Sequence, residues 1–380
     1  MSSPPLSLRF HGAQVLLPDG LAQADVAMSD GLITDTTSRT VDATGYLILP
    51  GIIDLHGDGF EHHMAPRRGA QTDPALGLRA VEAELAANGI TTAMLAQFFS
   101  WEGGMRGPAF AETLARAVAT YDATTDLHIQ LRLEISITDD FLRAKALIER
   151  EHIRYVVLND HLPHGALEAR KRPPRLTGQA LKSGRSPEAH HRLLQRLHDG
   201  MPEALHALAP LTQDLRGQGV RIGSHDDRTA DDRARGRALG ADIAEFPETR
   251  AAAEAAHGAG EPVIMGAPNV VRGGSHDRKI AARDLIADGL VTALVSDYHY
   301  PSLHRAALML WDDGMALSEA WALISKGPAT VMGWADRGRL SSRARADLVV
   351  MDARTRAIEG VICAGRVTHL TGNLAARMVG

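Results

Sequence analysis

The sequence predicts an α/β protein: a (β/α)8 barrel of the TIM type with a small β-sandwich built from both termini. Short apolar runs alternate with helical stretches through the middle of the chain, and both ends read as strands and turns. His, Asp and Glu recur at the ends of the apolar runs, where a barrel places its chemistry. At 380 residues the chain suits one large domain with a smaller partner. The expected division is 1–48 with 337–380 for the sandwich and 49–336 for the barrel.

The terminal pieces come first. Leu6 to Leu17, Ala24 to Met28 and Leu32 to Thr34 read as strands, separated by Pro18-Asp19-Gly20 and Asp30-Gly31. At the far end, Ala346 to Asp352 and Gly360 to Val367 each read as one strand. Neither piece buries a core alone, so the two are expected to pack together. Cys363, the sole cysteine, is expected to be a small buried apolar residue; it excludes an intramolecular disulfide and a thiolate-rich metal site.

The barrel opens with the strand before His56. Ala75 to Asn88 is helical with Gly89 as its stop, and Ile90 to Ala96 is the second strand. His128–Ile135, Tyr155–Leu158, Val220–Gly223, Asp242–Phe246, Val263–Met265 and Leu290–Val295 complete the set. Pro163 to Met201 does not fit, being too basic and too broken for barrel wall. It reads either as a solvated excursion or as a lid carrying cations over the site.

Composition narrows the function. Hydrophobic residues at 44% and charged residues at 23% are ordinary for a folded globular protein. A net charge of -5 disfavours non-specific nucleic-acid binding while allowing a local basic pocket. No membrane-length apolar run or signal-like segment occurs, so the expected setting is cytoplasmic, with no membrane partner. Homo-oligomerisation stays open.

In Leu49-Pro50-Gly51-Ile52-Ile53-Asp54-Leu55-His56-Gly57-Asp58-Gly59-Phe60, an apolar run delivers a histidine and, two residues on, an aspartate. In an extended segment these share a side, and Gly57 and Gly59 are expected to let the backbone turn. Glu134 lies near the end of strand three. Asp160 and His161 follow strand four; His225, Asp226 and Asp227 follow strand five; Asp297 closes strand eight. On a barrel these residues converge on one mouth, and their number suits a pair of divalent ions, zinc foremost or another first-row metal.

These motifs, with the terminal β pieces and Ser296-Asp297, resemble the amidohydrolase superfamily. Ser224-His225-Asp226-Asp227, Ala244-Glu245-Phe246-Pro247, the Met265 to His276 block and Ser296-Asp297-Tyr298 resemble one branch more narrowly. That branch is the α-D-ribose 1-methylphosphonate 5-triphosphate diphosphatases of the carbon–phosphorus lyase pathway. The resemblance implies that His56 and Asp58 bind one metal, that Glu134 bridges two, and that His161 and His225 help hold the second. It further implies that Asp297 contacts metal and serves as general base. Relative to the commonest superfamily pattern, an HxD stands for HxH, Glu134 for a modified lysine, and Glu245 where strand six often carries histidine.

The implied reaction is hydrolysis of an anionic ribosyl phosphonate triphosphate with release of pyrophosphate. Coordination to two metals lowers the pKa of water from about 16 to about 7, giving a nucleophile near neutral pH. Arg272-Gly273-Gly274-Ser275-His276, after strand seven where phosphate sites recur, is expected to bind the phosphates. Arg67 and Arg68 are either secondary phosphate contacts or surface arginines. A deaminase or cyclic amide hydrolase on the same fold, and a non-catalytic phosphonate-binding protein, are the competing readings.

Overall fold

A computed structural model describes residues 4–35, 37, 39–67, 70–274 and 279–379. The eight barrel strands are Ile52–Gly57, Ile90–Phe99, Asp126–Glu134, Tyr155–Asn159, Arg221–His225, Ile243–Glu245, Val263–Gly266 and Ala293–Val295, numbered one to eight below. They hydrogen-bond in that order as one sheet with helices alternating between them, forming a (β/α)8 barrel. Strands buried on both faces need no polar alternation, which is why they read as continuous apolar runs. Between strands one and eight, Gly57 and Asp297 form a parallel bridge.

Helix Pro74–Ala87 illustrates the local rules. Asp73 caps it by accepting from the Ala75 N–H at 2.9 Å, Pro74 occupies its first turn, and Gly89 leaves it at φ +80°. Contacts divide the chain into two compact units, Met1–Leu95 with Tyr121–His128 and Ile264–Gly380, and Ala96–Thr120 with Ile129–Val263.

In the first unit the termini build a second sheet of eight strands. Its centre is an antiparallel pairing of Leu348–Asp352 on Tyr46–Pro50, which interleaves the two ends of the chain. Leu8, Phe10, Val15, Met28, Ile48, Leu348, Val350 and Ile362 form its core. Where one strand was expected over Gly360 to Val367, there are two, Ile358–Cys363 and Arg366–Leu370. Ala364 at φ +47° and Gly365 at φ +75° make the turn between them. A short strand, Thr40–Asp42, and a terminal helix, Gly372–Val379, were not anticipated; Leu374 and Met378 of the helix enter the core.

Polar residues fasten this sheet to the barrel strands of the same unit. Asp126 pairs with Arg345 at 2.9 Å and with Arg337, and Arg337 donates to Thr92 Oγ1 at 3.0 Å. Cys363 is buried as expected but lies among polar groups: its thiol donates to the Thr91 carbonyl at 3.2 Å and Arg345 donates to its sulfur at 3.1 Å. Burial and the neighbouring Asp347 push that thiol up to about 12. Burial alone would raise the Asp126 carboxyl, but His128, Arg345 and Arg337 outweigh it and hold the pKa below the ordinary value. Asp126→Ala should cost roughly 2 kcal/mol in urea unfolding, because it removes the carboxylate shared by Arg345 and Arg337, which then keep Asp347 and Asp336 respectively. A lowered folded pKa stabilises above the unfolded value near 4, so the deficit should shrink as pH falls below about 4.

In the second unit, the stretch expected to be broken is helical. His164–Glu168, Leu176–Lys182 and Pro187–Asp199 lead into Met201–Gly217. Its basic character lies on the solvent side, with Arg170, Lys171, Arg172, Arg175 and Lys182 exposed, while Leu167, Leu176, Ala180 and Leu194 are buried.

Candidate metal centre

In the first unit, the joined ends of strands one and eight gather three candidate ligands. His56 is buried in strand one, Asp58 follows that strand, and Asp297 lies two residues beyond strand eight. The Asp297 N–H donates to the His56 carbonyl at 2.9 Å, and the Asp58 N–H donates to the Asp297 carbonyl at 2.8 Å. Asp297 has φ +55°, a left-handed conformation uncommon outside glycine and often found at functional sites. His56, Asp58 and Asp297 each offer a ligand atom, all within 4.8 Å of one another.

Asp54 underpins this corner. Fully buried in strand one, it accepts from the Ser296 N–H at 3.0 Å, the Ser296 hydroxyl at 2.5 Å and the His56 N–H at 3.3 Å. Burial raises its carboxyl pKa, and those donors oppose the rise. The chain turns at Gly59, where the Glu61 N–H donates to the Asp58 carbonyl at 3.1 Å, but the turn does not itself require glycine. Neither Gly57 nor Gly59 has a positive φ. A Cβ at Gly57 would lie 2.6 Å from Tyr300 Cε1 and 2.7 Å from Asp54 Oδ2, and one at Gly59 would lie 3.0 Å from Tyr300 Cε2. Close approach of the buried Tyr300 ring, rather than backbone conformation, excludes side chains there.

The second unit holds its own cluster at strand ends three to six. Glu134, at the end of strand three, accepts from the His161 N–H at 2.8 Å, while His161 Nδ1 lies 3.0 Å from its other oxygen. With Nδ1 donating, Nε2 of His161 carries the lone pair, the arrangement by which carboxylates orient ligating histidines. His225 ends strand five, its Nδ1 3.2 Å from Glu245 Oε2 and its Nε2 3.0 Å from Arg132 Nη2. Because arginine only donates, Nε2 accepts and Nδ1 carries the proton. Burial, with a contribution from Arg132, lowers the His225 pKa and keeps the ring neutral.

Glu245, at the end of strand six, also accepts from Gln130 Nε2 at 2.8 Å and the Tyr155 hydroxyl at 3.2 Å. These contacts make it a positioning group for His225. Asp226 and Phe246, each just past its strand, have φ +61° and +53°.

Two aspartates expected in the ring are engaged locally. Asp160 accepts from the Leu162 N–H at 3.2 Å and pairs with His164 at 2.8 Å. Asp227 turns into a buried cluster around Arg233. Sequence reading also missed Asp54, Arg132 and Arg233. Asp54 alone left a trace, as a carboxylate inside an otherwise apolar run.

The expected phosphate loop begins as a helix, Ala267–Arg272, which Gly273 ends at φ +75°. Arg272 is exposed and donates to the Tyr298 hydroxyl at 3.1 Å, linking it to the segment that carries Asp297. Gly274 N–H donates to the Asn269 carbonyl. Arg67 is exposed. Arg68, Ser275 and His276 lie outside the described residues.

One imidazole and two carboxylates at His56, Asp58 and Asp297 are the donor set of a borderline divalent ion, so this corner fits a metal. His161 and Glu134 fit a second. His225 fits once Arg132 leaves its Nε2, since a guanidinium and a dication compete for that lone pair.

No family model matches the chain. Its fold is that of a crystallised amidohydrolase (16% identity, TM-score 0.61, 96% of this chain and 100% of that one). A zinc-bound adenosine deaminase from Xanthomonas campestris shares it at 14% identity and TM-score 0.54, over 100% and 97% of the two chains. So does a β-aspartyl dipeptidase from Fervidobacterium islandicum AW-1, at 14% identity and TM-score 0.60, over 96% and 97%. These likenesses are of fold: a barrel of this type with His, Asp and Glu at its strand ends. The chain is also 32% identical over 365 residues to α-D-ribose 1-methylphosphonate 5-triphosphate diphosphatase of Escherichia coli (strain K12), covering 90% of this chain and 94% of that one. It belongs to that diphosphatase's family.

Proposed function

We propose that the protein hydrolyses α-D-ribose 1-methylphosphonate 5-triphosphate, releasing pyrophosphate, with two divalent ions, zinc foremost, at the strand ends. The convergence of His56, Asp58 and Asp297 within 4.8 Å carries this reading. His56 and Asp58 would hold one ion and His161 and His225 the second, with Glu134 contributing to both and Asp297 as a further metal contact. Ions held there would supply a more acidic water and would offset the charge on phosphate oxygens.

Asp297 accepts the proton as water attacks phosphorus, the α–β anhydride bond breaks, and its electron pair leaves with pyrophosphate. Asp54 holds the Ser296 backbone and so fixes the approach of Asp297. Glu245 fixes the tautomer of His225. Arg272 binds the leaving phosphates with Gly273 and Gly274, and with Ser275, His276 and Arg67 as further contacts.

Phosphorus NMR of the metal-loaded protein with this triphosphate tests the reading: pyrophosphate and a 5-monophosphate are the expected products, and inorganic phosphate alone would exclude it. Arg272→Met should raise KM for the triphosphate about tenfold with a smaller change in kcat, as expected for lost charge-assisted binding. An unchanged KM would remove Arg272 from the phosphate site.

A further inference from the structure

We propose that His62, His63 and Glu84 form a further divalent-cation site, which pins the segment after strand one to helix Pro74–Ala87. Their ligand atoms also lie within 4.8 Å of one another. His63 Nε2 is 2.5 Å and His62 Nε2 3.5 Å from the same oxygen, Glu84 Oε2, and the two rings sit 4.0 Å apart. Two imidazoles and one carboxylate suit a zinc-type ion, with water completing four positions. An ordinary hydrogen-bonded pair accounts for His63 and Glu84, but not for a second imidazole drawn to the same oxygen.

The local fold builds this arrangement in advance. His62 and His63 occupy a one-turn helix, Glu61–Met64, anchored from beneath by the buried side chains of Phe60 and Met64. The Thr72 hydroxyl bonds the His63 and Met64 carbonyls at 3.1 and 3.2 Å, and the Thr72 N–H bonds the Met64 carbonyl at 2.9 Å. Gly77 lets the longer helix press close, since a Cβ there would lie 2.4 Å from Met64 Sδ. Gly77 and Glu84, seven residues apart, lie nearly two turns along one face of that helix, so the close approach also directs Glu84 toward the histidines. The ion cross-links a turn that begins just after Asp58, a proposed ligand of the main centre. Its binding does not depend on the reaction assigned to that centre.

The test is zinc content by mass spectrometry of the full chain, equilibrated in chelator-buffered micromolar zinc. His62→Ala, His63→Ala and Glu84→Gln should each lose about one equivalent relative to their parent. The loss should recur in an Asp58→Ala background, which separates it from the main centre. Hydrogen exchange over residues 61–65 should quicken on chelation in the parent and not in His62→Ala. Exposed His62 is the decisive variant, because its removal leaves the His63–Glu84 pair and the fold intact. Equal zinc in His62→Ala and parent overturns the proposal, as does a difference seen only at millimolar zinc, which marks an adventitious ion only.

Discussion

Asp58→Ala is expected to weaken metal binding at strand one by at least about 100-fold and to abolish turnover while the barrel stays folded. Loss of an orienting group one step removed from a metal already costs about 10–100-fold, and Asp58 is proposed as a direct ligand. The fold should survive because Asp58 joins strand eight through its backbone N–H, bonded to the Asp297 carbonyl, which alanine keeps. Asp54 still secures Ser296 and His56 from within. Metal analysis, circular dichroism and a rate measurement on one preparation check the three parts. Full metal content with a normal rate would remove Asp58 from the centre.

Arg233→Met is expected to destabilise the protein by about 3–5 kcal/mol, the range for breaking a buried ion pair by removing one partner. Arg233 is fully buried in helix Ala230–Ala238. It pairs with Asp227 at 3.0 Å and Glu261 at 2.7 Å, donates to the Ala241 carbonyl at 3.1 Å and contacts the Ser224 hydroxyl. Methionine leaves Asp227 buried without its guanidinium, whereas Glu261 keeps Arg237. Ser224 and Asp227 flank His225, so the same cluster sets the end of strand five. Urea unfolding measures the cost, and a change below about 1 kcal/mol would show that the cluster repacks around methionine.

Residue spacing revealed much of this architecture because barrel strands buried on both faces leave continuous apolar runs, and because His56, Glu134, His225 and Glu245 all lie at or next to strand ends. It failed where one pattern serves two structures. Gly360 to Val367 remains apolar through a hairpin turn, so it reads as one strand. The stretch 164–199 carries exposed arginines, and prolines interrupt its helices, which hides their buried leucines. Strand-end position alone could not distinguish Asp297, whose carboxylate joins His56 and Asp58, from Asp227, which turns to Arg233. Both follow strands with similar sequence signals, and only the partner decides.

The most direct test compares pyrophosphate release from α-D-ribose 1-methylphosphonate 5-triphosphate by the metal-loaded protein and its Asp297→Asn variant. A positioned general base contributes about 10²–10⁴-fold, so the variant should be slower by at least that factor, with its fold intact. Equal rates in the two proteins, or no pyrophosphate from either, would contradict the assignment.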